Sequence, residues 1–238
     1  MRLVAPRRVI AGAALLVAFV TLVAAAGATL PPDIPANERK RLDAVAHAAA
    51  VTTRVDAEPF VARPEVFQFL LDHPEFATRV TRVLRVARYR IWRAADGLWL
   101  DDGWGTVGRF EVVHAVGRTR VMHARGTYSK RLLPDIRGEA VVMIEYEVRP
   151  GPEGRSLIAA AVTGFVKLDS GFLTGAMKLV APIAQAKADR EARGLVRVFA
   201  KVSRAADEQP AALCQDLAQQ PDVSRRELAE FCRLITPR

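Results

Sequence analysis

Cysteine is nearly missing from this chain: of 238 residues only Cys214 and Cys232 are cysteines. That excludes a multi-disulfide scaffold and a thiolate metal cluster. The two do not form a CxxC pair and have no histidine beside them, so redox and metal roles lack the spacing they need. Histidine is scarce as well, with four in all. Only His114 and His123 could meet, and two histidines without a third ligand make a poor metal site. No serine nucleophile elbow, phosphate loop, HExxH or paired-carboxylate motif occurs. The glycines of GWGTVG, 103–108, lack the following helix that a nucleotide loop needs. There is no arginine-rich tail and no zinc-finger spacing. Basic residues are instead spread along the whole chain, so the net charge of +9 and pI near 10.2 do not by themselves point to nucleic acid. No internal repeat is present. No cofactor or metal site is read from the sequence.

One long uncharged run does exist. Residues 1–8, MRLVAPRR, are basic, and residues 9–30 carry no charge. This is the pattern of a secretory leader, and Ala26-Gly27-Ala28 offers an A-x-A cleavage site. The run is also long enough to span a bilayer uncut. Two readings stand, a cleaved signal peptide and an inner-membrane anchor, and both export the remaining chain to the periplasm or cell envelope. Cleavage would remove Arg2, Arg7 and Arg8, lowering the formal charge from +9 to +6. The cysteines agree with export. Residues 211–219 and 223–235 read as two short helices turning around Pro221-Asp222, which brings Cys214 and Cys232 together as a disulfide.

Residues 29–49 read as a linker and a short amphipathic helix. VTTRVDA comes next as a strand. Pro64 and Pro74 then sit at the starts of two short helices, where a missing N–H costs nothing. From residue 86 the apolar period becomes two. Six strand candidates succeed one another, 88–94, 98–102, 104–116, 118–129, 137–148 and 155–168, separated by turn residues such as Ala95-Asp96-Gly97 and Gly151-Pro152-Glu153-Gly154. Short turns between successive strands predict an antiparallel meander. A long helix begins after Asp169-Ser170, with Pro182 and Gly194 expected to kink or weaken it. It carries an apolar stripe (Leu195, Val198, Phe199, Val202) and a separate basic stripe (Arg190, Arg193, Arg197, Lys201, Arg204).

VTTRVDAEPFVARPEVFQFLLDHPEF at the start and LDSGFLTGAMKLVAPIAQAKADREARGL at the end resemble the START-like superfamily, the polyketide-cyclase and lipid-transfer helix-grip fold. The likeness covers roughly residues 50–205. It implies an α+β domain in which a curved antiparallel sheet of about seven strands wraps a long C-terminal helix; residues 206–238, beyond the likeness, are the helical hairpin read above. It also implies an elongated, mainly apolar cavity that relatives use for lipids, sterols, quinones or polycyclic aromatics.

On alternation, Trp104, Phe110, Val112, Tyr146 and Phe165 are expected on the cavity wall, joined by Phe172 and Met177 of the helix. Trp104, Phe110, Val112 and His114 should share one face. With a tight turn at Gly117-Arg118, residue 114 faces 121 and residue 112 faces 123. His114 and His123 then lie diagonally, available to a ligand head group or, in an enzyme, as a base. Ala140, Ala159 and Ala161 are expected inward, leaving room. Three functions are open: an exported module that binds a hydrophobic small molecule or lipid, a cyclase- or hydrolase-type enzyme, and a structural protein with a filled core. The basic stripe reads either as a solvated face or as a dock for an anionic membrane.

Overall fold

The structure, a computed structural model, describes residues 29–130, 133–169 and 177–236. Residues 1–28 and 170–176, Phe172 among them, lie outside those described. Among the described residues no helix is long and apolar enough to cross a membrane. The chain is α+β. One antiparallel sheet has the order β1-β8-β7-β6-β5-β4-β3, with the short β2 also pairing with β8. The strands are β1 (Val51–Asp56), β2 (Phe60–Val61), β3 (Arg90–Ala94), β4 (Gly97–Asp101), β5 (Thr106–Val116), β6 (Thr119–Lys130), β7 (Leu133–Pro150) and β8 (Ser156–Leu168). The helices are α1 (Ala36–His47), α2 (Pro64–Asp72), α3 (Pro74–Val83), α4 (Met177–Glu208), α5 (Pro210–Ala218) and α6 (Arg225–Ile235). The helix α4 runs unbroken through Pro182 and Gly194.

Both faces of the sheet are used. The inner face meets α4: Val55, Ile144 and Val162 pack with Ala192 and Val196. The outer face is covered by α1 and the segment before it. There Leu30, Ile34, Leu42 and Val45 bury Val121, Val141, Met143 and Phe165. Each buried aliphatic of this kind contributes about 1.5–3 kcal/mol. A third, all-helical cluster closes one end, where Val66, Phe69, Leu70, Phe76 and Val80 of α2 and α3 meet Val202, Leu213, Leu217 and Phe231. The C-terminal hairpin therefore packs against the helices α2–α4. Its disulfide, Cys214–Cys232, joins α5 to α6. Arg63 ties the same end by donating to the carbonyls of Leu234 and Ile235 and pairing with Asp207.

A row of glycines lets the sheet bend. Gly108, Gly126 and Gly138 are direct partners across β5, β6 and β7. A Cβ at Gly126 would lie 2.9 Å from the Val107 carbonyl oxygen, and one at Gly138 would lie closer still to that of Lys167. Only glycine permits this approach of neighbouring backbones. The free edge of β3 is covered as well: the Thr78 hydroxyl of α3 accepts from the Ile91 N–H at 3.4 Å. That blunts the edge against pairing with another chain.

Two substitutions of the same type are expected to act oppositely. Gly126→Ala forces backbone apart and costs about 1–3 kcal/mol. Gly194→Ala in α4, where an added Cβ meets nothing within 4 Å, gains about 0.5–1 kcal/mol through helix propensity. Urea unfolding of both variants checks the pair.

Candidate functional site

The site is built on the inner face. Direct partners across five strands place Leu98, Phe110, Ala124, Ala140 and Val166 in one row. Its middle is two alanines. Met122 and Val142 flank them in the next row. All four of these central residues keep accessible surface. On the outer face of the same strands, Val121 and Val141 are fully buried, and Met143 and His123 are 2% and 3% exposed. At this point of the sheet the outer residues are therefore more completely buried than the inner ones.

At one end of this face an open cavity of about 390 Å³ lies between the α2–α3 corner, the β3–β4 turn and β5. Its floor is Leu98 and Phe110, Val112 lies at its mouth, and its rim is charged. The rim charges are largely paired: Arg93 with Glu75 at 2.7 Å and His73 with Glu227 at 3.0 Å. Beside it the buried Arg120 holds Asp72 through two bonds of 2.6 and 3.0 Å, a fork-shaped pairing. This pair joins β6 to the end of α2. The neighbouring Tyr146 hydroxyl is pushed above its usual pKa, chiefly by burial.

At the opposite end α4 is held from two sides. Lys187 donates to Asp102, just past β4, at 2.6 Å, and lies over the Tyr128 ring. Two residues on, Asp189 accepts from Thr53 of β1 and from Gln185 at 2.9 Å. Burial alone would raise the Asp102 pKa; the Lys187 ammonium and the N–H groups of Trp104 and Thr106 bring it below the ordinary value. Burial likewise opposes the charge on Lys187, and Asp102 and Glu191 overcome it, so its pKa is raised. Tyr89 lies close by, pushed up to about 12 by burial and by Glu191.

The expected wall residues separate. Phe110 is inward, against Ile91 and Leu98. Val112 is inward but 39% exposed, at the cavity mouth. Tyr146 is inward and stacks edge-on with Phe67 at 4.9 Å. Met177 is the first residue of α4. Three placements correct the alternation. Trp104 precedes β5 in a loop and is 54% exposed, with Arg88 over its ring. His114 lies on the outer face because β5 bulges between Val112 and His114. The extra residue reverses every side chain beyond it. Residue 114 does face 121, whereas 112 faces 122 and Glu111 faces His123. Phe165 also points outward, into the cluster beneath α1. Ala159 and Ala161 share the outer face with Glu147 and Glu145, their direct partners; the inward alanines are Ala124, Ala140 and Ala160.

The two histidines thus serve the outer layer. His114 Nε2 lies 3.6 Å from Asp33 in the segment before α1. His123 sits between Glu111 at 3.4 Å and Glu139 at 3.1 Å, and Arg41 of α1 reaches Glu111 at 2.8 Å. Glu139 is held below the usual carboxylate range: burial opposes its charge, and His123, Arg125 and Lys167 outweigh it. Among the described residues no group of three or more His, Cys, Asp or Glu is arranged to hold a metal. The Lys187–Asp102 clamp and the Ala124–Ala140 pair are not evident in the sequence. The Asp101-Asp102-Gly103 turn is the one local signal for the clamp.

No protein-family model matches the chain, and no curated protein matches it. Among solved structures, that of TTHA0849 from Thermus thermophilus aligns at 14% identity over 65% of this chain and 98% of that one, with a TM-score of 0.31.

The clamp has a pH signature. Asp102 has a folded pKa below its unfolded value of about 3.9, so its contribution is complete above that pH and is lost as pH falls through the lower folded value. Lys187 has a raised pKa, so its contribution is complete below about pH 10 and is lost as pH rises through the folded value. Asp102→Asn is expected to cost about 2 kcal/mol at neutral pH, typical of a charged hydrogen bond. It should also flatten the acid side of the stability profile. Urea midpoints measured from acid to neutral pH check both effects.

Proposed function

We propose that this is a START-like, helix-grip protein of the cell envelope that holds a hydrophobic small molecule between its sheet and its long helix. The ligand class is a lipid, a sterol or hopanoid, a quinone or a polycyclic. The observation that carries the reading is the partial exposure of the residues at the centre of the inner face. Met122, Ala124, Ala140 and Val142 retain surface at the centre of the sheet, where a protein built only to be stable would bury its best apolar residues. The open cavity at the α2–α3 corner adds an apolar floor with a charged rim. Its volume is within the usual range of about 300–1,000 Å³ for small-molecule sites. Such a site accepts a body without hydrogen-bonding capacity at the floor and a polar end at the rim.

The disulfide fits an oxidising, non-cytoplasmic compartment. The alternative enzyme reading relies on His114 as a base. His114 instead lies beneath α1, on the other side of the sheet from the unfilled positions, so binding is the reading taken further.

Native mass spectrometry of protein purified from its own envelope is expected to show a discrete hydrophobic adduct. Delipidated protein should take up a fluorescent lipid. Ala140→Phe, which fills the middle of the inner row, should lower that uptake at least tenfold while leaving the thermal midpoint within a few degrees. A clean apo mass together with no uptake, or uptake unchanged in Ala140→Phe, overturns the proposal.

A further inference from the structure

The outward face of α4 carries a basic stripe from Arg190 to Arg204, with one acid, the exposed Glu208, at its C-terminal end. Arg190, Arg193, Arg197, Lys201 and Arg204 are all exposed. At 100° per residue they fall in one stripe, about 21 Å long. The stripe lies opposite the buried Ala192, Val196, Val202 and Ala206. Neighbours along it are three or four residues apart, the spacing at which like charges on a helix repel. A face that needed only to be soluble would intersperse acids.

Several cations elsewhere are paired with acids, while others, among them the exposed Arg118, Arg137 and Arg233, are single rather than in a row. Arg79 meets Asp222 at 2.6 Å, Arg93 meets Glu75 at 2.7 Å, Arg125 meets Glu139 at 3.2 Å and Arg149 meets Glu147 at 2.7 Å. Among the described residues none of the five stripe cations lies within 4.0 Å of a carboxylate. Of the acids along the helix, Asp189 is bonded by Thr53 and Gln185 and also feels the Arg193 charge, Glu191 is engaged by Lys187 and Asp207 by Arg63, and Glu208 lies one turn past Arg204.

We infer that this stripe docks the protein on an anionic phospholipid surface, with α4 lying along the membrane plane. The disulfide fits a compartment without nucleic acid. There the bilayer is an extended polyanion whose charges match a straight row of cations on this length scale. Side chains that near a membrane each add favourable interaction with anionic headgroups, and salt screens it. The inference stands apart from whether the inner face holds a ligand.

The test uses the full chain on phosphatidylglycerol–phosphatidylcholine vesicles and on pure phosphatidylcholine vesicles. The quantity read is the ratio of the two partition coefficients. Residues 1–30 contribute equally to every variant, so their effect cancels. Removing one cation is expected to lower the ratio about fivefold. Arg193→Gln/Arg197→Gln/Lys201→Gln should lower it about a hundredfold, and Arg197→Gln alone about fivefold. The ratio should fall with added salt. Relief of like-charge repulsion should leave the thermal midpoint of the triple variant equal or higher, and its uptake of a fluorescent lipid in solution should match wild type. Arg109→Gln/Arg149→Gln/Arg155→Gln removes the same charge from other exposed sites and should leave the ratio nearly unchanged. An unchanged ratio in the triple variant overturns the inference, as does an equal loss in the control variant, which would make net charge the cause. Tighter binding to a single-stranded oligonucleotide than to the anionic vesicles at the same salt also overturns it.

Discussion

One helix touches the two sides of the sheet at once, and the rest of the structure depends on that. Thr53 is on β1, and Asp102 lies just past β4, with β8, β7, β6 and β5 between them. A flat sheet would keep them more than about 20 Å apart. An α-helix with its side chains is only about 10–12 Å across. Asp189 and Lys187 nevertheless reach both, so the sheet must curl. The glycine row allows the curl on the inner side, and the bulge at β5 adds twist near the hairpin end. Charge at the clamp also fixes where the helix stops along the sheet. Lys187 is partly desolvated and finds its main acceptor in Asp102, so sliding α4 by one turn would leave an ammonium and a carboxylate underpaired.

Features set by neighbours along the chain are legible in the sequence. Strand spans, turn residues and proline-started helices are of this kind, and so is the pairing of Cys214 with Cys232 across a short helical hairpin. Facing is harder. Val112 and Val113 are both apolar, so alternation through 104–116 gives no sign that one of them is extra, and the bulge sends His114 to the opposite side. The run Ala159-Ala160-Ala161 has no polar member to mark the period. Gly108, Gly126 and Gly138 are spaced 18 and 12 residues apart and acquire meaning only when the register lines them up. The role of residues 29–47 is hidden for a related reason. ANERKRLDAVAH shows two well-spaced apolar residues, Leu42 and Val45, and whether such a helix is a tether or a cover depends on a sheet face formed by strands far along the chain.

That cover bears on the inner face. A sheet with an underfilled concave side lacks contacts that would otherwise stabilise it. Here much of the stabilisation sits elsewhere. Leu30, Ile34, Leu42 and Val45 complete a tight core on the convex side, and the α2–α3–α5–α6 cluster completes another at one end. Two polar links reinforce the convex layer, Arg41 to Glu111 and His114 to Asp33. Together these cores can hold the strands in register while Met122, Ala124, Ala140 and Val142 stay only partly buried. The partly exposed inner row and the segment laid over the back of the sheet are then two parts of one arrangement. Loosening residues 29–47 would be felt first as sheet flexibility and only secondarily at the inner wall, because Val121, His123 and Val141 alternate along the same strands with Met122, Ala124 and Val142.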